Sequence, residues 1–163
     1  MLSIGEPAPL FQLQSLDGSL VSLAALRGQL VLINFWSAEC PWAERADTAL
    51  RGWLERVVVL SIASNSGEPL ELLWRVAGER GLAMVLLDTR HEVADRYDAQ
   101  TTPHCFLIDG EGILRYQGAF DDVTFRQRTP KRQYVIEAME ALLAGRPVAL
   151  TESPPYGCTI QRY

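Results

Sequence analysis

The sequence predicts an α/β fold with a mixed central sheet flanked by helices and an N-terminal β-hairpin. Two observations carry this prediction. Three continuous apolar runs, each suited to a strand buried on both faces, alternate with segments of helical periodicity. The segments around Asp17-Gly18 and Gly110-Glu111-Gly112 have the turn residues of β-hairpins, which add antiparallel strands to the sheet.

The predicted elements follow from these patterns and from local start and stop signals. Pro41 and Pro69 suit the first turn of a helix, and Gly81 is typical of a helix end. In chain order the elements are a hairpin over 8–26, a strand over 30–36, a helix over 41–54, a strand over 57–63, a helix over 69–80, a strand over 83–88, a short helix over 91–99, a hairpin over 101–120 and a helix over 132–143.

The chain after Gly145 is predicted to be extended. It contains three prolines and has no helical pattern, so we expect residues 146–163 to form a tail that lies on the domain or wraps it. No internal repeat, low-complexity stretch or linker divides the remainder. We therefore predict a single domain over 1–163, close to the usual size of one domain.

Composition limits the classes of function. A hydrophobic share of 48% allows a full core, and a net charge of −5 argues against nucleic-acid or anionic-membrane partners. The N-terminal residues show no basic leader, and no window approaches the roughly 18 apolar residues of a membrane span. We expect a cytoplasmic protein. Three cysteines at unrelated spacings do not form a disulfide framework, which leaves core filler, metal ligand or reactive thiol as their roles.

Cys40 lies where a predicted buried strand ends and a helix begins, with Pro41 next to it. A sulfur at this point faces unpaired backbone N–H groups and the positive end of the helix dipole. Both favour the thiolate and lower the pKa of a cysteine. The adjacent Glu39 carboxylate acts in the opposite sense. A buried structural cysteine is the alternative, and the combination of strand end, helix start and proline favours a reactive thiol.

Several motifs, in order, resemble thioredoxin-fold redoxins of the peroxiredoxin-like, AhpC-TSA and TlpA-like group. FWSAECPWAERA is similar to their FWxxxCPxC segment, and TTPHCFLID is similar to their Thr-Pro strand. The entry IGEPAPLFQLQSLDG and the ending PYGCTI also resemble members of this group, the latter a subgroup that keeps only the first cysteine. The resemblance implies a thioredoxin-like fold, a nucleophilic Cys40 and a cis peptide bond before Pro103. The backbone of Thr102 would then face Cys40 and offer an edge to a substrate strand.

Two activities compete within this resemblance, thiol–disulfide exchange and peroxide reduction. Ser37 matches the hydroxyl that peroxiredoxins place before their cysteine, although small polar residues are also common at helix starts. Ile33 stands where peroxiredoxins have a proline, and Pro103 stands where they have an arginine. These replacements favour a disulfide exchanger over a dedicated peroxidase.

Ala43 occupies the position of the second cysteine in Cys-x-x-Cys, so another thiol must resolve a mixed disulfide at Cys40. An external thiol or Cys158 in the tail could do so; alternatively, the site holds a partner without turnover. A tethered Cys158 would act at a large effective concentration, whereas a packed or idle cysteine is the alternative. Trp42 and Trp36 flank the site, and we expect Trp36 to fill the core.

The other cysteine and a histidine near the site are further candidates for redox or metal chemistry. Cys105 lies in the middle of a predicted strand and is expected to be a small core residue. His104 follows Pro103 and could tune the thiolate, or strand alternation could direct it away. Cys40, His104 and Cys158 lack the spacing of a zinc site, so we predict neither a metal nor a cofactor.

The sequence therefore predicts a thiol-based redox protein, a thiol–disulfide oxidoreductase or an antioxidant of cell redox homeostasis. Its partners would be protein or small-molecule disulfides and thiols, with peroxide as a further candidate. A redox-inactive binding module with the same fold is the non-enzymatic alternative. The predicted catalytic residues are Cys40 and Cys158, and the predicted substrate-binding residues are Ser37, Trp42, Thr102 and Pro103.

Overall fold

The computed structural model describes residues 2–82 and 84–163 and confirms the predicted fold class. A mixed sheet of seven strands has the order β2-β1-β5-β4-β3-β7-β8, and β6 and β9 form a separate pair. The strands are β1 Gln12–Ser15, β2 Leu20–Ser22, β3 Val31–Trp36, β4 Val58–Ala63, β5 Val85–Leu87, β6 Thr101–Thr102, β7 His104–Ile108, β8 Leu114–Gly118 and β9 Cys158–Thr159. The helices are α1 Pro41–Leu50, α2 Leu70–Arg80, α3 Glu92–Arg96 and α4 Tyr134–Leu143.

The centre of the sheet is β3, which pairs in parallel with β4 and antiparallel with β7. All six of its residues are buried, as its continuous apolar run predicts. Its odd-numbered side chains enter a core cluster with α3 and the N-terminal segment. Its even-numbered side chains face α1, α2 and α4 on the other side of the sheet. The sheet therefore separates two apolar layers, and β3 ends just before Cys40.

Both predicted hairpins form. β1 pairs antiparallel with β2, and β7 pairs antiparallel with β8 across the turn at residues 109–112. β1 also pairs antiparallel with β5, so the first hairpin extends one edge of the sheet. The predicted strand over 83–88 begins at Ala83, which lies outside the described residues; its described part contains β5.

All four helices are shorter than predicted: α2 lacks only Pro69, α3 covers the middle of the predicted range 91–99, and α1 and α4 differ for local reasons. α1 ends at Leu50 and gives way to a 3₁₀ turn over Arg51–Trp53, where Gly52 disfavours a continued α-helix. α4 begins at Tyr134, because the Glu137 carboxylate accepts a hydrogen bond from the Gln133 N–H at 2.8 Å and closes the helix start there. None of the helices among the described residues is both long and apolar enough to cross a membrane.

The tail is extended and attached along its length. It first follows the edge of β8, where the Gln117 N–H donates to the Thr151 carbonyl at 3.0 Å and the Ser153 N–H donates to the Gln117 carbonyl at 3.2 Å. It then crosses to the carboxyl-terminal end of β3, where β9 pairs with β6. Ile160 is only 4% exposed and joins the core cluster beneath α3. The tail is thus built into the core at its end.

Ile160 gives the tail its apolar anchor, which leads to a first prediction. Ile160→Ala removes buried aliphatic atoms from the core cluster and should lower the free energy of unfolding by about 2–5 kcal/mol. Tyr163→Ala, at a fully exposed tail residue, is the matched control and should change it by less than about 0.5 kcal/mol. Urea unfolding of both variants under reducing conditions measures the difference. Equal values for the two variants would show that the tail does not contribute to the core.

Candidate active site

Cys40 is the N-cap residue of α1, and Pro41 occupies the first helical position. The buried strand β3 brings the chain to this point, so the sulfur lies at the end of the sheet and at the start of a helix. The residue is only 2% exposed. The Glu44 N–H donates to the Cys40 carbonyl at 3.1 Å and begins the helical ladder. The local geometry is the one expected of a thiol at a helix start.

The segment before β7 faces this sulfur. The Thr102-Pro103 peptide bond is cis, as the resemblance to redoxins implied. The Thr102 carbonyl oxygen lies 3.0 Å from Cys40 Sγ and accepts the proton of the neutral thiol. Thr102 Oγ1 is buried and has no hydrogen-bond partner among the described residues. Both predicted residues of the Thr-Pro motif are therefore at the site.

Cys158 lies directly against Cys40. β9 pairs antiparallel with β6, with Cys158 opposite Thr102, and this places the two Sγ atoms 2.7 Å apart. Gly157 makes the approach possible, because a Cβ there would collide with the Thr102 carbonyl oxygen. No disulfide joins the two cysteines in this structure. The sequence separates these residues by 118 positions, and the tail brings them into contact.

The two thiols have opposite electrostatic environments. Burial acts to raise the pKa of Cys40, but hydrogen bonds from the Cys158 thiol and from backbone N–H groups outweigh it, and the pKa lies below that of an ordinary thiol. For Cys158, burial and the interaction with Cys40 raise the pKa to about 12. Of the two thiols, Cys40 therefore loses its proton first, and its thiolate accepts a hydrogen bond from the Cys158 thiol.

Aromatic side chains hold the tail beside the sulfur pair. Trp42 packs edge-to-face on Tyr156, with the ring centroids 5.1 Å apart. The Tyr156 hydroxyl accepts a hydrogen bond from the Phe125 N–H at 2.8 Å. Trp42, predicted to bind substrate, is thus in contact with the tail in this structure. Trp36 is fully buried, and its indole N–H donates to Asp47 at 2.7 Å.

Ser37 lies near the site, but its hydroxyl is directed to a carboxylate. It donates to Glu68 at 2.6 Å, and the Ala38 N–H donates to the other Glu68 oxygen at 2.8 Å. Asn65 Nδ2 donates to Glu68 at 2.6 Å, and Asn65 Oδ1 accepts the Gln161 N–H at 2.5 Å. Sequence reasoning missed Asn65 and Glu68, since a single polar residue in a loop carries no motif.

The remaining candidates lie in the interior. Cys105 is fully buried in the core cluster of α1 and α4, and burial raises the pKa of its thiol. His104 stacks on Phe106, and its Nδ1 accepts the Gln100 N–H at 3.1 Å. Burial lowers the pKa of His104 to about 4, so its imidazole is neutral. Within the described part of the chain, no cluster of His, Cys, Asp and Glu is arranged to hold a metal ion.

Comparison with known proteins places these features in a family. Residues 4–117 match the AhpC/TSA family. A relative, the thiol:disulfide interchange protein DsbE of Tatumella citrea, is 33% identical over 124 residues, which cover 72% of this chain and 66% of that protein. The chain therefore spans less than two thirds of the length of this relative.

Solved structures agree on the fold. An uncharacterized conserved protein from Geobacillus kaustophilus has a TM-score of 0.88 and 30% identity, over 99% of this chain and 93% of its own. The thioredoxin domain of a thiol-disulfide oxidoreductase from Bacteroides vulgatus has a TM-score of 0.62 at 22% identity, over 78% of this chain and 94% of its own. The second likeness bears on the fold alone. The fold is thioredoxin-like, and the chain belongs to the AhpC/TSA family.

Proposed function

We propose that the protein is a thiol–disulfide oxidoreductase that cycles between a Cys40/Cys158 dithiol and a Cys40–Cys158 disulfide. The observation that carries the proposal is the 2.7 Å separation of the two sulfur atoms, one favoured as thiolate and the other as thiol. The relative from Tatumella citrea supports it, because that protein is a thiol:disulfide interchange protein. A resolving cysteine in the tail replaces the missing second cysteine at Ala43.

In the first step the Cys40 thiolate attacks one sulfur of a partner disulfide. A bond forms between Cys40 Sγ and that sulfur, the partner's S–S bond breaks, and the other partner sulfur leaves as a thiolate. No covalent bond joins the tail to Cys40 in the dithiol form, so β9 is held beside the site by non-covalent contacts alone. We infer that β9 parts from β6 to admit the partner.

In the second step Cys158 resolves the mixed disulfide. Burial still raises the pKa of Cys158, but a covalently bound Cys40 no longer adds its charge, so Cys158 loses its proton more readily. The proton goes to the departed partner thiolate or to water. The Cys158 thiolate attacks Cys40 Sγ, the bond between Cys40 and the partner breaks, and the second partner sulfur leaves as a thiolate that takes a proton from water. The balance is one disulfide reduced to two thiols and one Cys40–Cys158 disulfide formed.

The surroundings of Cys40 favour disulfide exchange over peroxide reduction. The Ser37 hydroxyl donates to Glu68, and Ile33 is a buried apolar residue. No arginine is among the groups that hydrogen-bond to Cys40 in the described parts of the chain. Pro103, at the position of the peroxiredoxin arginine, brings the Thr102 carbonyl to the sulfur. Peroxidase activity and a redox-inactive binding role are outcomes of the experiment that follows.

The central prediction concerns the bond between the two cysteines. Treatment of the reduced protein with glutathione disulfide should give a Cys40–Cys158 disulfide, which peptide mapping by mass spectrometry detects. Cys158→Ala should stop the reaction at a mixed disulfide on Cys40. Cys105→Ala removes the buried thiol and is the matched control, expected to react like the parent protein.

Three outcomes would count against this mechanism. A folded parent protein that forms no Cys40–Cys158 bond would exclude the dithiol cycle. If Cys40 remains unmodified by both glutathione disulfide and hydrogen peroxide, a redox-inactive binding module replaces both enzymatic functions. Peroxide oxidation of Cys40 much faster than that of a free thiol, with slow disulfide exchange, would favour the peroxidase.

The pKa of Cys40 gives a pH-dependent prediction. Because that pKa is lowered, the thiolate and its reactivity should persist below about pH 8.5, the ordinary thiol value, and be lost as the pH falls through the Cys40 pKa. Cys158→Ala removes a hydrogen-bond donor and should raise this midpoint, whereas Cys158→Ser keeps a donor and should raise it less. Iodoacetamide alkylation of Cys40 across pH, quantified by peptide mapping, measures the midpoint. A midpoint that is the same in all three proteins would disprove the role of the Cys158 hydrogen bond.

A further inference from the structure

The tail strand, residues 158–161, is hydrogen-bonded along both of its edges. One edge faces β6, and the other faces a loop. On the first edge, Cys158 and Thr159 pair with Thr102 and Thr101, and the Ile160 N–H donates to the Gln100 carbonyl at 3.0 Å. The second edge is formed by the loop after β4. There the Ser66 N–H donates to the Gln161 carbonyl at 2.6 Å, and Asn65 Oδ1 accepts the Gln161 N–H at 2.5 Å.

The same loop also holds the chain that leads into Cys40. Glu68 accepts hydrogen bonds from the Ser37 hydroxyl and the Ala38 N–H with its two oxygens. The Cys40 N–H in turn contacts the Ser37 carbonyl at 3.4 Å, so these residues form one turn before the helix. Asn65 Nδ2 donates to Glu68 at 2.6 Å and joins the two attachments.

We propose that Asn65 and Glu68 are positioning residues that set the separation of the two reactive sulfur atoms. Each holds one cysteine-bearing segment: Glu68 holds the turn before Cys40, and Asn65 holds the strand of Cys158. The hydrogen bond between their side chains fixes one segment relative to the other. This proposal rests on the proposed Cys40–Cys158 cycle and names the residues that give Cys158 its high effective concentration at Cys40.

The positioning role can be tested by exchanging the amide of Asn65 and the carboxylate of Glu68. Asn65 donates one amide N–H to Glu68 and accepts at its oxygen, while Glu68 only accepts. Asn65→Asp places two carboxylates face to face, and Glu68→Gln can place two amide groups donor to donor. In the double variant, the new amide at position 68 would donate to the new carboxylate at position 65, which still accepts the Gln161 N–H. The double variant therefore restores the link with its direction reversed.

The experiment measures the equilibrium between the protein and glutathione buffers. The reaction converts the dithiol and one glutathione disulfide into the Cys40–Cys158 disulfide and two glutathione thiols. Asn65→Asp and Glu68→Gln should each lower its equilibrium constant by about tenfold, as expected when a partly buried hydrogen bond is lost. Asn65→Asp/Glu68→Gln should recover most of the loss. The midpoint of Cys40 alkylation should rise in the single variants and return in the double variant.

Controls separate positioning from general stability and from the proposed cycle itself. Urea unfolding of each dithiol form measures stability, and Thr159→Ala tests an exposed side chain on the same strand, which should leave the equilibrium unchanged. Single variants with the parental equilibrium constant, or a double variant no better than the singles, would overturn the positioning role. A parent protein that never forms the disulfide would instead overturn the proposed function, and the two failures are distinct.

Discussion

The pairing of the tail strand with Thr101–Thr102 is the constraint on which the site depends. The cis bond before Pro103 turns the Thr102 carbonyl towards Cys40 and leaves a backbone edge beside the sulfur. In a sheet protein such an edge has unpaired N–H and C=O groups that favour another strand. Here residues of the same chain take that edge. Cys158 reaches Cys40 because backbone hydrogen bonds bring it there, and the burial of Ile160 keeps the strand in place.

The contact between the sulfur atoms makes each thiol part of the environment of the other. Burial acts to raise the pKa of both thiols; beyond it, Cys158 lowers the pKa of Cys40 by donating a hydrogen bond, and the same interaction raises the pKa of Cys158. One proton is thus shared unequally between the two groups, and the pair titrates as a unit. The inequality assigns the roles of nucleophile and resolving thiol. The difference in pKa follows from where the two thiols lie, because Cys40 is at the start of helix α1 and Cys158 is in strand β9.

Much of this arrangement could be predicted from the sequence. Buried runs and helical periodicity predicted the sheet and its helices, and Pro41 after Cys40 indicated the helix start. The threonine-proline motif indicated which segment would face the sulfur. The contact of Cys158 with Cys40 could be stated only as one of several alternatives, because no local pattern encodes where an extended tail lies. The roles of Asn65 and Glu68 could not be predicted for the same reason, since their partners Gln161 and Ser37 are distant in the sequence.

The wide separation of the two cysteines along the chain has a consequence for the whole molecule. A disulfide between residues 118 positions apart would enclose most of the polypeptide in a covalent ring. Such a ring restricts the unfolded chain and, in the chain-entropy model, adds on the order of 4–5 kcal/mol to stability. Oxidation at one small site would therefore strengthen the fold against heat and proteolysis throughout. The redox potential of the surroundings would therefore affect the lifetime of the folded protein.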